Sequence, residues 1–101
     1  MAVIYQNGQL YENPIGNGWV YRGTHLLTEV SYELKVFHNG LYNGKTFRIM
    51  ITGTIKAINN PNILWGTDRL TLRLQDRRKL DFMCVDFNPE CEITSDTDFY
   101  V

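Results

Sequence analysis

The residues that could do chemistry are few, and their spacing suits little of it. Cys84 and Cys91 stand seven positions apart, His25 and His38 thirteen, and no CxxC pair occurs. A structural zinc site needs close Cys and His ligand pairs, so no metal ligand is proposed. Asp86-Phe87-Asn88-Pro89-Glu90 opens like a calcium loop, but Cys91 stands where Gly is required and Thr97 where the bidentate Glu belongs. Neither Ser31 nor Ser95 has a neighbouring base, and GxSxG, Walker A and GxGxxG sequences are absent. A Cys84–His38 nucleophile pair would need the fold to unite them, and a structural thiol with a surface histidine is the simpler reading. Paired carboxylates for glycoside chemistry cannot be singled out among so many C-terminal acids. No catalytic residue is proposed, no cofactor is expected, and the chain reads more as a non-enzyme than as an enzyme.

Aromatic and basic residues are more suggestive. Trp19-Val20-Tyr21 puts two large rings on one face of a strand, and Trp65 follows the Pro61 loop. Such rings either fill a small core with their polar tips at its rim, or form a stacking platform, a lined cavity or a protein-binding hot spot. Arg69 and Arg73 share the outward side of another strand, with Arg77, Arg78 and Lys79 at the turn after it. An anion patch and a solvated face neutralised by Asp68, Asp76 and Asp81 both fit that pattern. The candidate binding residues are Trp19, Tyr21, Trp65, Arg69, Arg73 and Arg77.

The elements that must position them are strands. Val30, Tyr32, Leu34 and Val36 alternate with polar residues, as do Leu70, Leu72 and Leu74. Phe47, Ile49 and Ile51 are expected inward and Arg48, Met50 and Thr52 outward. Asn7-Gly8 predicts a hairpin between 2–6 and 9–12. A reversal is expected at Asn39-Gly40, at Asn43-Gly44 or across both, with further corners at Asn59-Asn60-Pro61-Asn62, Asp76-Arg77-Arg78 and Asn88-Pro89. Residues 80–87 change face midway, which predicts a strand covered on both sides or a bulge. Leu26, Leu27, Val30, Leu34 and Phe37 also fit a helical stripe capped by Thr24, but Val, Tyr and Phe favour a strand from about Glu29. Central strands of about 11–13 residues would span roughly 36–43 Å, so they must coil. Gly53 is the expected place for a bend or bulge. The fold class is all-β: an antiparallel meander of about seven or eight strands, forming a small coiled barrel or sandwich with at most one short helix.

The 101 residues, 44% hydrophobic and 21% charged, fit a single β domain over 1–101 with a short acidic C-terminal segment at about 88–101. The opening residues lack a leader pattern and no long apolar run occurs, so a cytoplasmic location without membrane contact is expected. In that compartment the cysteines should be free, with Cys84 buried and Cys91 partly exposed, unless a tight turn lets them bridge.

The net charge of −1 hides a division. Residues 1–79 hold all ten bases against five acids, while 80–101 hold six acids and no base. The acidic segment is expected either to lie against the basic strand at 69–79 or to face a partner separately.

Together these features predict a cofactor-free binding or interaction module with a protein partner or a small ligand. The alternative is a small-ligand-binding barrel with possible enzymatic activity. Single-stranded nucleic acid is a third reading, weakened by the acidic segment and a pI near 6.1. A filled interior would favour a partner on the surface, and a hollow one a ligand. Chelator is expected to leave the melting temperature unchanged. A fall above about 5 °C, roughly 1 kcal/mol for a chain this size, would show that a metal supports the fold.

Overall fold

Alternating apolar residues build long strands here, and strand length forces the sheet to curl. A computed structural model of the chain describes residues 9–42, 44–58, 61–64, 69–84, 86–87, 91–95 and 97–101. Within them lie β1 (Gln9–Glu12), β2 (Ile15–Arg22), β3 (His25–Tyr42), β4 (Lys45–Ala57), β5 (Leu70–Arg73), β6 (Lys79–Phe82), β7 (Asp86–Phe87) and β8 (Cys91–Ser95). A single 3₁₀ turn, Pro61–Leu64, completes the described elements. The hairpin expected at Asn7-Gly8, the corners at Asn59-Asn60 and Asn88-Pro89, and Trp65 lie outside the described residues.

All pairings are antiparallel, in the order β6-β5-β2-β3-β4-β8-β7, with β1 continuing the β2 side of β3. β2, β3 and β4 form a meander, after which the chain crosses to place β5 against the far side of β2. The 18 residues of β3, at ~3.3 Å each, would extend roughly 59 Å if straight. The molecule is only 37 Å along its longest axis. Coiling is therefore obligatory.

Closure follows from one short link. β6 and β7 occupy opposite ends of the strand order, roughly 29 Å apart in a flat sheet at ~4.8 Å per strand. Yet Phe82 ends β6 and Asp86 begins β7, four residue steps that reach at most about 14 Å. The sheet curls into a half-barrel that brings its ends together. This also explains the change of face within 80–87: the chain leaves one strand and enters another, rather than continuing through a bulge.

The concave side is filled. Val20, Leu34, Ile51, Leu72 and Leu80 are fully buried there, with Val30, Ile55, Leu70, Leu74, Phe82 and Ile93 around them. Tyr32 reaches through this core, and its hydroxyl accepts the Gln75 amide at 3.1 Å. Leu70, Leu72 and Leu74 point inward as the alternation requires, and Arg69 and Gln75 are exposed.

Several local expectations change. β3 begins at His25, because Gly23-Thr24 makes a two-residue turn that pairs Arg22 with His25. Gly23 takes φ 61°, which a Cβ would disfavour, so Thr24 belongs to a hairpin rather than a helix cap. A register shift then opposes Val20 to Thr28 but Tyr21 to Leu26, leaving Leu27 as the extra residue. That bulge turns Leu26 outward and packs Leu27 towards the core, which produces the helix-like spacing. The later reversal lies between Tyr42 and Lys45, which pair, while Asn39 holds φ 55° inside the ladder.

At Gly53 the β3–β4 register is unbroken, so no bulge forms. The glycine instead permits close backbone approach, since a Cβ there would overlap the Glu33 carbonyl oxygen. Met50, expected to face solvent, is buried on the convex side. It lies opposite Phe37, which pairs on its other flank with Leu10, so a short apolar row shelters it.

Leu72→Ala is expected to cost ~2–4 kcal/mol, because it opens a cavity in the filled core. Denaturant melts measure this, and a loss below about 0.5 kcal/mol would place Leu72 outside the core.

Candidate functional site

Because β2, β5 and β6 turn Val20, Leu72 and Leu80 into the core, the residues between them must face out. Ladder partners place Glu29, Trp19, Arg73, Lys79 and Tyr100 in one transverse row. A second row holds Leu26, Tyr21, Thr71 and Asp81. Trp19 is 37% exposed and Tyr100 43%. Neither Trp19 nor Tyr21 fills the core; Val20 between them does.

Cations lie against these rings. The Arg73 guanidinium carbon is 5.7 Å from the Trp19 ring centroid, and the Lys79 ammonium lies 6.0 Å from that of Tyr100. Arg73 is therefore half-covered rather than fully exposed as alternation predicted. Thr71 Oγ1 donates to Asp81 Oδ1 at 2.9 Å, and the Tyr100 hydroxyl donates to the same oxygen at 2.6 Å. That second bond holds the phenol neutral and raises its pKa, with burial adding to the effect.

Two shallow depressions flank Tyr100. One, of about 300 Å³, is lined by Tyr21, Gly23, Thr71, Arg73, Lys79 and Tyr100. The other, of about 370 Å³, lies at the seam between β6 and β8, where Arg69, Asp81, Met83, Ser95 and Asp98 meet the far side of Tyr100.

Of the six candidates, the fold thus unites Trp19, Tyr21 and Arg73, and puts Arg69 across Tyr100 from them. Arg77 stands apart in the β5–β6 turn, exposed and with φ 77°. Trp65 lies outside the described residues. Lys79, Tyr100 and Leu26 were missed. The alternation of 79–82 marks Lys79 as outward, but nothing local predicts that Tyr100 returns to β6.

The C-terminal segment does reach the basic strand, through Tyr100 and Phe99. Lys79 and Tyr100 exchange backbone hydrogen bonds of 2.7 and 2.9 Å, and the Arg78 guanidinium lies 4.5 Å from the Phe99 ring centroid. Among the described residues, no ion pair joins the segment's acids to 69–79. Arg78 instead forks onto Glu12, with contacts of 2.9 and 2.5 Å, and also binds Asp76 at 2.8 Å. One guanidinium so ties β1, the β5–β6 turn and the C-terminal segment together.

The remaining chemistry is dispersed. His38 stacks on Tyr11 with centroids 4.1 Å apart, whereas burial, and after it Cys84, raises the pKa of the Cys91 thiol. The expected burial of the cysteines is reversed, since Cys91 opens β8 inside the core and Cys84 sits half-buried in the link after β6. Among the described residues, no group of three His, Cys, Asp or Glu side chains could hold a metal ion. No helix among them is long and apolar enough to cross a membrane. Comparison with family models, curated proteins and solved structures finds nothing that matches this chain.

Hydrogen bonds from Arg78, supported by its charge and opposed by partial burial, lower the carboxyl pKa values of Glu12 and Asp76. A depressed folded value means that their stabilisation is complete above the unfolded value of about 4. It is lost as pH falls through the folded values. Arg78→Met should cost about 1 kcal/mol at pH 7, since these groups are partly exposed, and should flatten the acid limb of stability against pH. Parallel acid limbs for both proteins would show that the fork adds nothing.

Proposed function

We propose that this chain is a cofactor-free interaction module that docks a protein partner on the outer face of β2, β5 and β6. The supporting observation is the row Trp19, Arg73, Lys79 and Tyr100, which carries exposed rings and cations on rigid strands above a filled core. Aromatic and Arg side chains supply much of the energy at protein interfaces: the rings bury large areas with little loss of rotamer freedom, and Arg adds a planar hydrogen-bonding fork. Arg73 and Lys79 suit carboxylates on the partner, and Trp19 with Tyr21 suits an apolar or aromatic group beside them. The fitting partner is an acidic segment with an apolar anchor.

A second reading rests on the 300 Å³ depression, whose Arg73, Lys79, Thr71 and Tyr21 would suit a small anion. Nucleic acid is less suited, since Glu29 and Asp81 border the same rows.

Selection from a displayed random-peptide library tests the proposal. Enriched peptides should carry Asp or Glu beside an aromatic or aliphatic residue. They should lose at least tenfold in affinity to Trp19→Ala and to Arg73→Glu, with the melting temperatures of both variants retained. Selected peptides that bind both variants as tightly as the parent would exclude this face. Failure of selection, with inorganic phosphate or oligothymidylate bound instead and lost in Arg73→Glu, would transfer the face to the small-anion or nucleic-acid reading.

A further inference from the structure

We infer that the edge of β6 at the seam takes an extended peptide segment as an added strand, with a cationic side chain opposite Asp81. Hydrogen-bond directions along β6 locate that edge. Leu74 donates its backbone N–H to the Arg78 carbonyl at 2.8 Å, so the residues in phase with Arg78, Leu80 and Phe82, aim their backbone polar groups towards β5. Lys79 is out of phase and exchanges both of its bonds with Tyr100 instead. Asp81 lies two residues further on, so its N–H and C=O also point away from β5, into the seam. A longer antiparallel run would put Asp98 opposite Asp81. The bridge is a single rung, however, and Asp98 Oδ1 accepts the amide of its own neighbour, Phe99, at 2.7 Å. Among the described residues, no backbone hydrogen bond answers Asp81 at the seam. An edge left in that state is a template for another strand.

Space lies alongside it. The depression of about 370 Å³ at the seam is lined by Asp81 and Met83 from the β6 side and by Thr94 and Ser95 from β8. The side chains then set the chemistry of the entrant. Its residue paired with Asp81 stands on the outer face, beside the Asp81 carboxylate. That carboxylate receives the Thr71 and Tyr100 hydroxyls on Oδ1, which leaves Oδ2 for a new donor. Asp98 adds a second negative charge to the slot, against the one cation of Arg69, so Lys or Arg fits best at this position. Two places away, towards the entrant's N-terminus, its side chain lies over Met83, which is 47% exposed and suits an apolar group. Tyr100 already holds the next rung, so the added strand ends just past Asp81. The slot adjoins the Trp19–Arg73 row but does not depend on it.

Amide NMR on the full chain tests this. In the free protein the Asp81 amide should exchange with solvent far faster than those of Leu80 and Phe82, which are bonded to β5. The probe is a threonine hexapeptide, capped at both ends, with Val at its third position and Lys at its fifth. Titration should shift the amides of Asp81, Met83 and Ser95 and slow exchange at Asp81. Replacing the probe's Lys by Glu should weaken binding roughly fivefold, the swing between an opposite and a like charge across a strand pair. Methylating the backbone nitrogen of that Lys removes the donor meant for the Asp81 carbonyl and should abolish binding. An Asp81 amide as protected in the free chain as Leu80 and Phe82 would overturn the inference. So would an Asp81 amide that the probe leaves unchanged, or an N-methylated probe that binds equally well. Shifts centred on the Trp19 indole instead would move the probe to the outer row and overturn it too.

Discussion

Three residues between β6 and β7 constrain everything else in this chain. They join strands from opposite ends of the sheet order, and a link that short cannot bridge a flat sheet. The sheet must curl, and the curl decides which side of every strand is concave. Once it has, the hydrophobic effect assigns Val20, Leu34, Ile51, Leu72 and Leu80 to the interior. The outer rows follow by simple alternation. The backbone bridge between Lys79 and Tyr100 continues the closure, covering part of the β6 edge that curling leaves open.

This closure also creates the candidate face. Trp19 and Tyr21 belong to β2, Arg73 to β5, Lys79 to β6 and Tyr100 to the segment after β8. The β2 and β5 residues become neighbours because the chain crosses after β4 to pair β5 with β2. Tyr100 arrives because β8 delivers it across the seam. A ring is set beside a cation at each end of the row, so the charges are already partly desolvated and oriented. Pre-positioned groups lose less freedom on binding, which favours specificity over area.

The charge division along the chain takes an unexpected physical form. Coulomb attraction between exposed groups is weak in water, too weak to select one docking geometry for a short segment. Backbone hydrogen bonds at Tyr100 and the Phe99 ring under Arg78 supply direction instead. The fork from Arg78 onto Glu12 then uses the strongest cation geometry available, bidentate and hydrogen-bonded, to join β1 to the β5–β6 turn.

Period-two alternation by itself determined the all-β class and the inward faces at 30–36 and 70–74, because a strand's side chains can only alternate. It also determined that Trp19 and Tyr21 share a side, and that Arg69 and Arg73 share another. Only tertiary structure decided that those sides are one convex face, since strand order is set by a crossover and no local pattern encodes it. It likewise decided the shelter of Met50, the exchange of burial between Cys84 and Cys91, and the role of Arg78. Each depends on residues distant in sequence, and a local pattern carries no record of which of them the curl brings close. Leu27 marks the boundary between the two kinds of knowledge. Its spacing looked helical, and one bulge in a hairpin begun by Gly23 was enough to produce that spacing within a strand.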